Sequence, residues 1–255
     1  MNLIDNNIIW NVEGRFDPSK IPVEPGSSGW YKLREDDTVN GYGIYCEGTD
    51  RLVIAQNLIG RCRHSGYYAK PVSFRMGGLE RGGTSHKAQI LNNIFYDCGE
   101  AAIVFLTGDN VSEGNLFLCM KDGYLRVMYP APELCLNLEA WQEFCGFDLT
   151  GQATWFGFSF DPKDMSFTIE RREDGPVPAP GPAKPVQVLR DPEKIGRKDA
   201  VPCVSCDIYG KECSGGRLPG PFASWEEKIT LKGALKKRPV LTICASCKML
   251  EIQAF

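Results

Sequence analysis

Eight basic residues of this 255-residue chain fall between positions 61 and 87: Arg61, Arg63, His64, Lys70, Arg75, Arg81, His86 and Lys87. The chain has only two histidines, and both fall here, beside Tyr67 and Tyr68. A guanidinium clamps a carboxylate through two parallel N–H bonds, an imidazole can take or give a proton near neutral pH, and an aromatic ring can lie against the apolar face of a sugar ring. Such a set suits an acidic sugar. The carboxylates that could join it are Asp36, Asp37, Glu47, Asp50 and Glu80. A hydrolase needs two of them, one as acid and one as base or nucleophile. Proton abstraction beside a sugar carboxylate needs one basic residue, often with Ca²⁺ on carboxylate oxygens. His64, Arg63, Glu47 and Asp37 are the catalytic candidates, and Arg61, Tyr67, Tyr68, Lys70, Arg75, Arg81 and His86 the substrate-binding ones. The plainer alternative is solvated loop carboxylates, surface cations and a locally hydrogen-bonded His64.

A second cluster lies near the C-terminus. Cys203 and Cys206 form one C-x-x-C pair, and Cys244 and Cys247 another. Four thiolates so paired can hold a tetrahedral zinc, although the 38 positions from Cys206 to Cys244 exceed the spacing of compact zinc ribbons. Disulfides or an unstructured tail are the alternatives. Zinc here would be structural. Arg81-Gly-Gly-Thr-Ser85 lacks the full phosphate-loop pattern.

Bulk properties exclude some partners. With 29 Lys+Arg against 32 Asp+Glu the net charge is −3, which gives no electrostatic case for nucleic acid or an anionic membrane. No run approaches the ~20 apolar residues of a membrane span. The opening MNLIDNNIIW lacks a secretory signal pattern. It reads as starting inside a repeat. Eleven cysteines leave the redox compartment open.

The elements that must position these residues announce themselves as repeats. Ile4-Asp5-Asn6-Asn7-Ile8-Ile9, Ile54-Ala55-Gln56-Asn57-Leu58-Ile59, Ile90-Leu91-Asn92-Asn93-Ile94-Phe95 and Val111-Ser112-Glu113-Gly114-Asn115-Leu116-Phe117 share an apolar residue, an Asn and a following apolar pair. The Asn positions 7, 57, 93 and 115 are spaced by 50, 36 and 22. The last interval is about one turn of a three-stranded parallel coil, and the others are turns carrying insertions, the first being one turn or two. Glycine-headed segments follow each Asn strand at Gly41, Gly66, Gly99 and Gly123, each expected to supply a positive φ. Stacked coils would align the Asn amides so that each donates to the next. Cys62 and Cys98, five residues after their Asn, should stack on a buried face as small hydrophobes rather than as a disulfide or ligand pair. Hairpin turns in a sandwich are the competing explanation.

Residues 13–40 and 75–87 are long insertions, and would wall one groove if both left the same edge. Asn137 is a plausible N-cap for a helix from Leu138, and residues 156–160 and 166–170 alternate as strands. Residues 175–185, GPVPAPGPAKP, form an extended linker. The expected organisation is coils over 1–135, a closing helix and strands over 136–172, and a Pro-rich linker with a Cys-rich tail over 173–255.

The stretches GYGIYCEGTDRLVIAQNLIGRC and ILNNIFYDCGEAAIVF resemble the pectate-lyase-like superfamily of right-handed parallel β-helix proteins. LNLEAWQEFCGFD with DPKDMSFTIE is similar to the segment that closes the helix in many bacterial members. The resemblance covers about residues 1–172. It implies an all-β, right-handed single-stranded parallel β-helix of about four coils, with an irregular Cys-containing C-terminal extension. It further implies a polysaccharide lyase or glycoside hydrolase fragment acting on or binding acidic polysaccharide, with Ca²⁺ as a lyase cofactor. A non-catalytic glycan-binding or structural β-helix is the alternative. Relatives of this kind have more coils, so the chain is expected to be the C-terminal portion of an extracellular or periplasmic parent, partnered by N-terminal coils of the same protein.

Overall fold

The structure, a computed structural model, describes residues 3–12, 41–46, 48–69, 74–76, 79–81, 85–121, 123–129, 136–154, 157–161, 163–164, 166–170, 206–213, 218–224 and 228–230. The strands come in triplets: β1 (Leu3–Asp5), β2 (Ile8–Val12), β3 (Ile44–Cys46); then β4 (Val53–Ala55), β5 (Leu58–Cys62), β6 (Ser65–Ala69). A hairpin of β7 (Phe74–Met76) and β8 (Leu79–Arg81) precedes the third triplet, β9 (Gln89–Leu91), β10 (Ile94–Tyr96), β11 (Ala101–Thr107). The fourth is β12 (Val111–Glu113), β13 (Leu116–Leu118), β14 (Leu125–Tyr129). Helix α1 (Leu138–Cys145), β15 (Gln152–Thr154), the hairpin β16 (Gly157–Asp161) and β17 (Ser166–Glu170), and β18 (Lys228–Thr230) follow.

First members of the triplets form one parallel sheet, β1-β4-β9-β12; second members form another, β15-β13-β10-β5-β2; third members form a third, β14-β11-β6-β3. The chain thus visits three stacked parallel sheets in the same order four times, an all-β arrangement without a closed barrel. Their inner faces enclose a core containing Ile54, Ile59, Ile90, Phe95, Phe105 and Phe117. The 50-residue interval is one repeat, because Ile8 pairs directly with Leu58 and Leu3 with Val53.

The Asn spacing reports a ladder at the corner between the first and second sheets. The Nδ2 of Asn7 donates to Oδ1 of Asn57 (3.1 Å), Asn57 to Asn93 (2.9 Å), Asn93 to Asn115 (3.0 Å) and Asn115 to Asp148 (2.8 Å). Each Asn backbone N–H reaches the same oxygen of the next rung, at 2.8–3.0 Å. The second amide hydrogens go to carbonyls such as Ile54 and Ile90, so buried polar groups are satisfied within the stack. Asp148 ends the series because only donors face it: Asn115, the Ser112 hydroxyl and the Trp141 indole Nε1–H. An indole can only donate. Burial pushes the Asp148 carboxyl above the usual range, and these donors oppose the shift.

The corners themselves use left-handed backbone. Asn6, Gln56, Asn92 and Gly114, each preceding a ladder residue, have φ of 52°, 58°, 52° and 66°. Asn11, Arg61, Asp97 and Cys119, each four residues after one, have φ of 55°, 51°, 45° and 53° and turn the chain toward the third sheet. Gly66 and Gly99, expected to supply positive φ, do something else. A Cβ on Gly66 would lie 2.7 Å from the Ala102 carbonyl oxygen, and one on Gly99 2.1 Å from that of Arg63. They permit close approach of neighbouring strands.

Asn137 caps α1, accepting from the Ala140 N–H at 2.9 Å, and Gly146 closes it in the left-handed region. Trp141 on this helix is fully buried, its ring stacked on Phe105 at 5.8 Å. The outer face of the second sheet is also covered. Leu58, Ile94, Tyr96, Leu116 and Leu118 pack against Phe158 and Phe167 of the β16–β17 hairpin and against Phe222. The Gly220 N–H donates to the Asn92 carbonyl (2.8 Å), and Asn6 Nδ2 to that of Cys206 (3.0 Å), docking this part of the C-terminal extension.

Candidate functional site

Strand pairing puts Tyr45 beside Tyr68, Tyr68 beside Val104, and Val104 beside Arg126. Alternation sends the neighbours Ile44, Tyr67, Ile103 and Leu125 into the core and this column outward, along the outer face of the third sheet. Tyr42, just before β3, joins it. Its ring lies 4.4 Å from His64, 4.8 Å from Tyr68 and 5.3 Å from Tyr45, while Tyr45 and Tyr68 are nearly parallel (13°) at 6.2 Å. Tyr45 is 41% exposed. Three tyrosines and an imidazole therefore share one surface patch.

His64 sits at the start of β6. Its Nε2 is 3.1 Å from Glu100 Oε2 and its Nδ1 2.6 Å from the Ser65 hydroxyl. Burial pushes its proton affinity down, opposed by the Glu100 charge. The neutral ring with Nε2–H donating to the carboxylate leaves Nδ1 to accept from Ser65, so its lone pair is engaged within the protein. As placed, His64 is a fixed hydrogen-bonding group. Backbone geometry reinforces this, since the Glu100 N–H donates to the His64 carbonyl at 2.7 Å.

Arg126 closes the outward column two strands beyond Tyr68, ~10 Å away at the spacing of paired strands. Its Nε is buried and has no hydrogen-bond partner among the described residues. A desolvated guanidinium N–H without an acceptor is costly.

The remaining candidates are scattered. Tyr67 points inward and is fully buried, near the Cys46 thiol, and burial drives its phenol far above the ordinary range. Arg61 lies at a corner with its guanidinium over Trp10 at 5.9 Å, on the second-sheet side. Arg63, exposed, adjoins His64. His86 lies beyond the opposite end of the third sheet, bonded through Nδ1 to Asp109 (2.9 Å), whose other oxygen accepts from Thr107. That carboxyl is held below its usual range by the Thr107 and His86 hydrogen bonds, against the desolvation that would raise it. Arg75 and Arg81 are in the β7–β8 hairpin, opposite Glu80 and Phe74. Asp37, Glu47, Lys70, Cys203, Cys244 and Cys247 lie outside the described residues. Cys206 lies in an isolated antiparallel bridge with Glu212. Among the described residues no three His, Cys, Asp or Glu side chains converge on a metal position, and no helix is long and apolar enough to cross a membrane.

The two insertions leave opposite ends of third-sheet strands. Residues 13–40 precede β3, and the hairpin follows β6. They do not depart from one edge. Sequence reasoning missed Tyr42, Tyr45, Glu100 and Arg126. The available signal was Gly43: pairing aligns it with Gly66, which sets Tyr45 level with Tyr68, whereas matching Gly41 to Gly66 hides that column.

The fold and site define a repeating all-β protein with an aromatic outer face. No family model, curated protein or solved structure matches the chain.

Proposed function

We propose that the chain is a right-handed parallel β-helix of the pectate-lyase-like kind and that the outer face of its third sheet binds an acidic polysaccharide without cleaving it. The observation that carries the reading is the clustering of Tyr42, Tyr45, Tyr68 and His64 on one outward face. Tyrosine combines a flat apolar body with a polar tip, which matches a pyranose, apolar on its C–H faces and polar around its rim. The Glu100 carboxylate, held against His64, would accept from sugar hydroxyls. Arg126, in register with the same outward column, would clamp a sugar carboxylate. The repeating three-sheet order and the Asn ladder support the helix.

Binding is favoured over lyase or hydrolase chemistry because both His64 nitrogens already have protein partners, and because the described residues of this face offer one carboxylate, Glu100, where hydrolysis needs two. Such a protein would work where polysaccharide is, outside the cytoplasm. The test is calorimetric titration of the chain with neutral and uronate-containing oligosaccharides, alongside an ultraviolet assay for unsaturated ends and a reducing-end assay. The expected result is heat of binding with uronate oligosaccharides and no product in either assay. Product formation would replace the binder by an enzyme, and absence of heat with every glycan would remove the proposal.

A further inference from the structure

We infer that Cys62 and Cys98 are a covalent modification site: a disulfide bridging two consecutive repeats. Strands β5 and β10 pair with Gly60 opposite Tyr96. The register continues through the corner, where the Gly99 N–H donates to the Cys62 carbonyl at 2.8 Å. Cys62 and Cys98 therefore stand side by side. The residue before each, Arg61 and Asp97, has the same left-handed φ, 51° and 45°, so both side chains leave the backbone in the same direction, into the core. Adjacent strands lie ~4.8 Å apart, inside the ~4.4–6.8 Å range of Cα separations that a disulfide spans.

The sulfurs meet. The Cys98 thiol lies 4.0 Å from the Ile59 carbonyl, on the neighbouring strand, and 3.7 Å from that of Tyr96, while the Cys62 thiol lies 3.8 Å from Gly60. The contact with Cys62, together with burial, raises the proton affinity of the Cys98 thiol. Both residues are almost wholly buried. A folded chain thus shields the pair, and the bond is made during folding, before the third triplet closes on the second.

The chemistry needs a two-electron acceptor, here a small-molecule disulfide of the glutathione type. One cysteine thiolate attacks it, forming a mixed disulfide and expelling a glutathione thiolate. The second cysteine thiolate attacks the protein sulfur of that mixed disulfide, forming the Cys62–Cys98 bond and expelling the other. The two protons lost by the cysteines end on the two reduced glutathiones. The bond closes a loop that contains the β7–β8 hairpin, so it shrinks the unfolded ensemble across that insertion.

The experiment refolds the full chain with a glutathione redox pair, alkylates remaining thiols under denaturing conditions, and maps the digest by mass spectrometry. The expected result is a linked peptide pair containing Cys62 and Cys98, with both refractory to alkylation until reductant is added, and an unfolding midpoint above that of the reduced protein. Peptide mapping needs no variant, so a fold failure in Cys62→Ser would not obscure it. Cys98→Ala should abolish both the link and the redox dependence of the midpoint. Recovery of Cys62 and Cys98 as alkylated thiols after oxidative refolding, or linkage of either to a different cysteine, would overturn the assignment.

Discussion

The second and third sheets are built from the same repeats, yet their outer faces have opposite fates. Outside the second sheet, Leu58, Ile94, Leu116 and Leu118 present aliphatic surface, and the chain returns to cover it with Phe158, Phe167 and Phe222. Trp10 completes that layer, 5.2 Å from Tyr96 and 5.1 Å from Phe167. Outside the third sheet, Tyr42, Tyr45, Tyr68 and His64 occupy the face. Aliphatic side chains gain only by leaving water, so the second face became a further core. Tyrosine and imidazole keep a use for water and for polar ligands. On the proposed reading, one repeat architecture separates stability and recognition onto different sheets.

The sharpest way to break that comparison is to thin the covered face. Phe167→Ala should cost about 3–5 kcal/mol of stability through the cavity it opens, read from chemical denaturation, with glycan affinity of the folded fraction unchanged. A comparable loss of affinity would mean that the two faces are not separate. Asn93→Ala removes an amide from the ladder and leaves the buried Asn57 backbone N–H without its acceptor, while Asn57 Nδ2 keeps the Ile4 and Ala55 carbonyls. A loss of about 2–3 kcal/mol is expected, again without selective loss of binding. Asp148→Asn sharpens the ladder argument. It keeps the shape but turns an amide toward the donor-only Trp141 indole, with an expected cost of about 1–3 kcal/mol and a shifted indole resonance by NMR.

On the third sheet the expectation reverses. Tyr68→Ala should weaken glycan binding by about 0.5–1.5 kcal/mol, measured by calorimetry. The smallest effect concerns pH. Burial lowers the proton affinity of folded His64 relative to an unfolded value near ~6.5. The unfolded state therefore takes up the proton first as pH falls below that value. Stability present at neutral pH should decline on acidification through this window, and His64→Asn should flatten the slope in denaturation curves recorded across it.

Much of the fold was legible because the ladder demands one residue type at one corner: Asn7, Asn57, Asn93 and Asn115 are all placed there. Asp148 was not, since an acceptor ending the series follows from the Trp141 indole packed above it. The site was half legible. Tyr67 and Tyr68 are adjacent in the chain and point opposite ways, and only pairing with Ile44 and Tyr45 shows which faces out. His64 and His86 were grouped by proximity in sequence, but the chain crosses the third sheet between them and leaves them at its two ends. Arg126 comes from a distant repeat, and register alone brings it into line with Tyr68.

Hydroxyl-radical footprinting with and without a bound uronate oligosaccharide tests most directly whether the third sheet is the recognition surface. Tyr42, Tyr45 and Tyr68 should become protected, while Phe144 and Leu149, 77% and 65% exposed near the closing helix, should react equally in both samples. Unchanged oxidation of the three tyrosines under saturating ligand, or protection centred on other residues, would contradict the assignment.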